Sequence, residues 1–277
     1  MGPNLTSFRD LHYLAESFGP GRQSQELDFL YTSFVWFDAE DHAYFGQIEK
    51  PKLQITLEQI SSALELIPDQ DIYPLVSDAE LPLSIASDEL NLTPGAELKG
   101  IYIKRPPVKD YEWYKEEDCV CLLPATLLEE AVTIQRIAQH GQHPNLVRFH
   151  GCRIRRGRIT GLVLDGYEYN LGEFLKEGKT VDKERILAGL DAAIRLLHSL
   201  GWAHNDVKPA NIMVNEQTGD PVLIDFGSCH RIGDKLTSSR GTVGWTEEGD
   251  DYTISKESHD IAALEKIRIW LDKLTFR

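Results

Sequence analysis

The chain has 277 residues, 42% of them hydrophobic, enough to bury a sizeable core in one large or two modest domains. Its formal net charge of −15 at pH 7 argues against a surface for nucleic acid or for an anionic membrane. Cys119, Cys121, Cys152 and Cys229 form neither a disulfide framework nor a zinc-ligand pattern, and no leader or bilayer-length apolar run is found, so a soluble, intracellular, cytoplasmic protein is expected.

Residues 1–25 mix Pro3, Gly19, Pro20 and Gly21 with scattered aromatics and read as an irregular arm. The aromatic and β-branched run Leu27–Phe37 meets a second run, Ala43–Ile48, across the acidic turn Asp38–Asp41, which predicts a β-hairpin. Thr56 with Gln59 three residues on is a capping box, and Leu57, Ile60, Leu64 and Ile67 recur at helical spacing until Pro68. Residues 1–97 are therefore a hairpin-plus-helix module and linker of unassigned role, with Trp36 in its core rather than on a ligand platform.

Lys99–Pro106 alternates apolar and polar residues as a strand does, and the acidic, aromatic stretch Tyr111–Asp118 reads as an exposed insertion. Thr126–Gln139 is predicted as a helix, with Thr126 and Glu129 as a second capping box, Gly141 as its stop, and Leu127, Ala131, Ile134 and Ala138 on one face. At about 100° per residue Glu129 falls opposite that face, whereas Glu130 lies at its edge and can turn inward. Leu146–His150 and Ile159–Leu164 read as paired strands, and the basic turn Arg153–Arg158 between them as a solvated tip.

Asn170–Leu175 is a short helix, and Asp182 caps a long one that aligns Ile186, Leu190, Ile194 and Leu197 before Gly201 ends it. Ile212–Val214 and Val222–Ile224 form a hairpin around a polar turn. Ser255–Leu274 is an amphipathic helix, with His259 placed on its surface.

Among these elements stand His204-Asn205-Asp206-Val207-Lys208-Pro209-Ala210-Asn211 and, after the hairpin, Asp225-Phe226-Gly227. In this order they resemble the catalytic loop and metal-binding segment of eukaryotic protein kinases, with Asn205 where most members carry Arg. The resemblance implies that Asp206 orients and deprotonates the attacking hydroxyl, Lys208 sits by the transferring phosphoryl, and Asn211 and Asp225 hold Mg2+. It further implies that Lys104 grips nucleotide phosphates with Glu130 as its helix partner, and that Leu164, Asp165 and Tyr167 form the hinge at adenine. His143-Pro144-Asn145-Leu146-Val147 matches the turn that follows the helix in many kinases, and Asp260 matches the aspartate that bonds the catalytic-loop backbone. Residues 228–246 resemble an activation segment, with Gly241-Thr242-Val243-Gly244-Trp245 shaping the substrate pocket.

There are departures. Gly95 and Gly100 make no G-x-G-x-x-G loop, Thr246-Glu247-Glu248 lacks the proline of A-P-E, and the large lobe is expected to be cut short at Arg277. The implied fold is α+β and bilobal: a small sheet-plus-helix lobe over 98–165 and a mostly helical large lobe over 166–277. The implied activity is transfer of the ATP γ-phosphoryl to a hydroxyl, on Ser/Thr of a protein given Lys208, or alternatively on a small molecule. A pseudokinase acting as a scaffold is the alternative from another class, and neither nucleic acid nor a membrane is an expected partner. Because Asn205 is uncharged, activity is expected to be independent of phosphate on Thr237, Ser238 or Ser239.

Overall fold

Aromatic and β-branched residues over 13–48 build the first sheet of the computed structural model, which describes residues 5–20, 27–94, 98–236, 241–242, 244–246 and 252–274. Strands β1 (Tyr13–Pro20), β2 (Leu27–Phe37) and β3 (Ala43–Ile48) are antiparallel neighbours in that order. Residues 13–20 are thus a strand and not part of an irregular arm. Gly19 and Pro20 stand at its end, where a missing donor costs least, and Leu14 packs on the core. Helix α1 (Leu57–Ala63) starts at the expected capping box of Thr56 and Gln59. Phe34, Ile55, Ile60 and Leu64 form the core beneath it, and Gly46 lets helix and sheet touch, because a Cβ there would meet Ala63 O at 2.5 Å. Strand β4 (Glu65–Leu66) completes this sheet, and the single-turn helix α2 (Asp69–Ile72) follows.

Contacts divide the chain into one unit of Met1–Val76, Arg105–Ala125 and Ile154–Thr160 and a second of Ser77–Lys104, Thr126–Arg153 and Gly161–Arg277. Helix α3 (Asp88–Leu92) and strand β5 (Ile101–Lys104) lie in the second, and α4 (Tyr111–Glu116) in the first. Tyr111 is buried, with its hydroxyl donating to Asp71 Oδ2 at 2.6 Å, so the segment read as an exposed insertion is anchored at its start.

Helix α5 runs from Leu122 to Ala138. It begins a turn before Thr126, since Pro124 in a first turn gives up no intrahelical bond, and so Thr126 and Glu129 do not cap it. Strands β6 (Phe149–Arg155) and β7 (Arg158–Asp165) join β5 in a sheet of order β5-β7-β6, where Lys104 pairs with Leu162 and Ile101 with Asp165.

The basic turn is solvated only at its tip, Arg156 and Gly157, while Arg153 and Arg155 are buried. Arg153 is fully buried and donates to Leu90 O and Thr93 O at 2.9 and 2.7 Å, closing the C-terminal end of α3. In the first unit, Arg156 (φ +50°) makes a paired contact with the Asp69 carboxylate, and buried Asp41 bonds Arg105 at 2.6 Å and lies 3.6 Å from Arg155. An acidic chain can bury arginines because it offers them carboxylates and helix-end carbonyls.

The rest of the second unit is mainly helical. Helix α6 (Leu171–Lys176) has a capping box of Asn170 and Glu173, and α7 (Lys183–Ser199) has Asp182 as its N-cap and buries Ile186, Leu190, Ile194 and Leu197. Strand β8 (Trp202–Ala203) leads into the loop 204–211, β9 (Ile212–Val214) pairs with β10 (Pro221–Leu223), and β11 (His230–Arg231) returns to β8. Helix α8 (Glu257–Asp272) packs on α7 and buries Ala263 and Ile267, with Lys183 and Asp272 paired between the two helices. This sheet-plus-helix part followed by a helical part is the α+β architecture of a protein kinase.

Candidate active site

Strand β5 ends at Lys104, and its ammonium donates to Glu130 Oε1 and Asp225 Oδ1, each at 2.6 Å. Glu130 comes from the inward edge of α5 and also accepts the Phe226 N–H at 2.9 Å, so one carboxylate positions both the strand lysine and the Asp225-Phe226-Gly227 turn. Burial lowers the Lys104 ammonium, but its two carboxylates more than reverse this and raise it. Burial pushes the Asp225 carboxyl up, and the Lys104 charge overrides it, holding the group down at about 2. For Glu130 burial prevails over Lys104 and the carboxyl is raised. Asp225 sits at φ +67°, a strained value for a residue with a side chain, and keeps 41% of that side chain exposed.

The loop 204–211 is tied down from behind. Asp260, fully buried at the start of α8, accepts the backbone N–H groups of His204 and Asn205 at 2.8 Å each, and His198 Nε2 lies 2.9 Å away. At the front, Lys208 Nζ donates to Asp206 Oδ2 at 2.7 Å and to Thr242 Oγ1 at 2.5 Å, while Thr242 Oγ1 donates to Asp206 Oδ1 at 2.9 Å. The Asn211 amide NH2 donates to Asp206 O and Oδ2, both at 2.9 Å, which aims its carbonyl oxygen elsewhere.

Five residues singled out from the sequence, Lys104, Leu164, Asp165, Tyr167 and Asp225, line one cavity of about 240 Å3. Tyr102 and Met213 also line it, and sequence reading passed over both. Tyr102 was legible as the residue two before Lys104, on the same face of the strand. Asp206, Lys208 and Asn211 gather around the Asp206 carboxylate, and Glu130 stands behind Lys104. His259, placed on a helix surface by sequence, is 6% exposed and bonds Asn205 Oδ1 through Nδ1 at 3.0 Å. Its spacing to Ala263 and Ile267, four and eight residues on, was the missed signal of a buried face. Thr237, Ser238, Ser239, Arg240, Val243, Glu247, Glu248 and Gly95 lie outside the described residues.

A carboxylate held by a lysine and a hydroxyl, beside an amide and a second carboxylate under a part-buried lysine, can orient a hydroxyl toward a polyphosphate. The model of the protein kinase domain matches residues 108–247, about half of the chain. The chain belongs to the protein kinase family. Lys104 lies just before the matched stretch, so its place beside Glu130 and Asp225 rests on the structure.

This kinase-family chain is 33% identical over 129 residues to the serine/threonine-protein kinase/endoribonuclease IRE1 of Hypocrea jecorina, covering 39% of the chain and 10% of that protein. It is 30% identical over 104 residues to a probable cell division control protein 7 homolog of Encephalitozoon cuniculi, covering 38% and 29%. Mouse serine/threonine-protein kinase 16 is 29% identical over 123 residues, covering 40% of each. The chain thus spans between a tenth and two fifths of these relatives. Among the described residues no helix is long and apolar enough to cross a membrane, and no group of three or more His, Cys, Asp and Glu could hold a metal ion.

Proposed function

We propose that this kinase-family chain transfers the γ-phosphoryl of ATP to a Ser/Thr hydroxyl of a protein, with residues 98–277 as the catalytic domain and residues 1–97 as an added module. The observation that carries the reading is the pair of hydrogen bonds that Lys104 donates to Glu130 and Asp225, since two remote segments converge on one strand lysine at 2.6 Å. In this reading Lys104 holds the phosphates, Leu164, Asp165 and Tyr167 border the base in the cavity, and Asp206 accepts the proton of the attacking hydroxyl. Lys208, bonded to Asp206 and Thr242, keeps that carboxylate oriented beside the transferring group.

The donor set fits Mg2+. Asn211 offers an amide oxygen and Asp225 a carboxylate kept ionised and part-exposed, the hard oxygen ligands magnesium takes beside substrate phosphates. When bound, the ion would neutralise charge on those phosphates. A serine/threonine acceptor is supported by Lys208 and by the serine/threonine-protein kinases among the relatives.

The test incubates the chain with labelled ATP and magnesium against mixed protein and metabolite extracts. Label on Ser/Thr of protein is expected. Label on a metabolite alone would replace the acceptor class, and binding of ATP with no transfer would leave a scaffold, the reading that the missing G-x-G-x-x-G favours.

A further inference from the structure

Asn205 precedes the candidate base and takes the left-handed conformation, φ +62°, which asparagine tolerates better than most residues. Its amide NH2 shares two hydrogens among Ala203 O at 2.9 Å, Ser228 O at 3.0 Å and Ser255 Oγ at 3.0 Å, and its Oδ1 accepts from His259 Nδ1 at 3.0 Å. Ser255 in turn donates to His230 O, so the side chain joins the loop, the segment after Gly227 and the start of α8.

The backbone is gripped as well. The Tyr252 hydroxyl donates to Asn205 O at 2.6 Å, and the Asp206 N–H points to His204 Nδ1 at 3.3 Å. These are the two polar ends of a single planar peptide, the one that joins Asn205 to Asp206. The Tyr252 ring stacks on His259 with centroids 4.0 Å apart, so one aromatic pair supports side chain and backbone together. Gly241 comes so close that a Cβ there would meet Asn205 O at 2.7 Å, which brings the segment carrying Thr242 against the same carbonyl.

We propose that Asn205, Tyr252 and His259 form a hydrogen-bonded lock that fixes the Asp206 peptide and the Thr242 segment without an added phosphate, with Tyr252 and His259 as positioning residues. The proposal rests on the phosphotransfer reading for its kinetic consequence, but not for the lock itself. The Asn205 side chain is itself uncharged and meets two carbonyls, a hydroxyl and an imidazole, so it orders the loop through hydrogen bonds where an arginine would need a phosphate to match it.

Tyr252→Phe keeps the ring on His259 and removes only the hydroxyl; His259→Ala removes the stack and the bond to Oδ1, and His259→Gln restores an amide donor. The lock predicts that Tyr252→Phe and His259→Ala each lower kcat roughly tenfold, as an unmade buried bond does, with KM for ATP unchanged. His259→Gln should recover part of the loss, and phosphatase treatment of the wild type should change nothing. Amide exchange at Asp206 and Val207 should quicken in the first two variants by a similar factor. Unchanged exchange and unchanged kcat, an equal rise in KM, or loss of wild-type activity on phosphatase treatment would overturn the lock. Wild type without transfer, but with faster exchange in both variants, would sink the phosphotransfer reading and leave the lock standing.

Discussion

Replacing Lys104 by Met keeps the apolar stem and removes the ammonium that sits 2.6 Å from both Glu130 and Asp225. At an effective dielectric constant of about 20, unit charges at that separation attract by roughly 6 kcal/mol, before desolvation is subtracted. What matters is the state left behind. Glu130, with 6% of its side chain exposed, would face Asp225 with no cation between them. Breaking a buried pair by removing one partner costs about 3–5 kcal/mol, but here water reaches Asp225 and the already raised Glu130 carboxyl can take up a proton. A loss of about 2–3 kcal/mol is expected, which lowers Tm by about 4–12 °C for a fold of this size.

Adding Glu130→Gln removes the stranded charge, so Lys104→Met/Glu130→Gln should be more stable than Lys104→Met alone. In phosphotransfer the double variant should be little worse than either single one, because the pair acts as a unit. The assay is a double-mutant cycle, read by thermal unfolding and by kcat/KM. Additive losses in both readouts would show that Lys104 and Glu130 act independently, and the ion pair would not be what organises the site.

Asp225→Asn should abolish magnesium-dependent ATP affinity in calorimetry without unfolding the chain, and equal affinity would remove Asp225 from the metal site. The same carboxyl, held at about 2 against 3.8 for an ordinary aspartate, contributes stability that is whole above about pH 4 and lost as pH falls through 2. Asp225→Asn should therefore lose less stability than wild type over that window in acid unfolding. Asp206→Ala should keep ATP affinity yet lose transfer by two orders of magnitude or more; transfer at the wild-type rate would dismiss it as the base. Burial raises the Cys152 thiol to about 12 and Cys229 well above its ordinary range, so at pH 8 a thiol reagent should label Cys121 and Cys119 but reach the buried pair only after denaturation. Four equally fast thiols in the native protein would refute that burial.

The sequence by itself carried the local elements whose signals are local. The capping box at Thr56, the Asp182 cap, the apolar alignment of α7 and the hairpin of β9 and β10 each depend on residues within a few positions. It also carried the order of chemical groups from His204 to Gly227, and the angle argument that turns Glu130 and not Glu129 inward holds, since Glu130 is the residue that meets Lys104. Tertiary structure decided where long-range partners override composition. Residues 13–20 became a strand because β2 offered an edge, and Arg153 and Arg155 left solvent because helix-end carbonyls meet the first and the Asp41 carboxylate lies beside the second. His259 looked like a helix-surface residue until Asn205 and Tyr252, more than fifty positions and seven positions away, closed around it. Hydrogen-bond partners so far apart leave no trace in local pattern, because burial of a polar group is decided by what it bonds to and not by its neighbours in sequence.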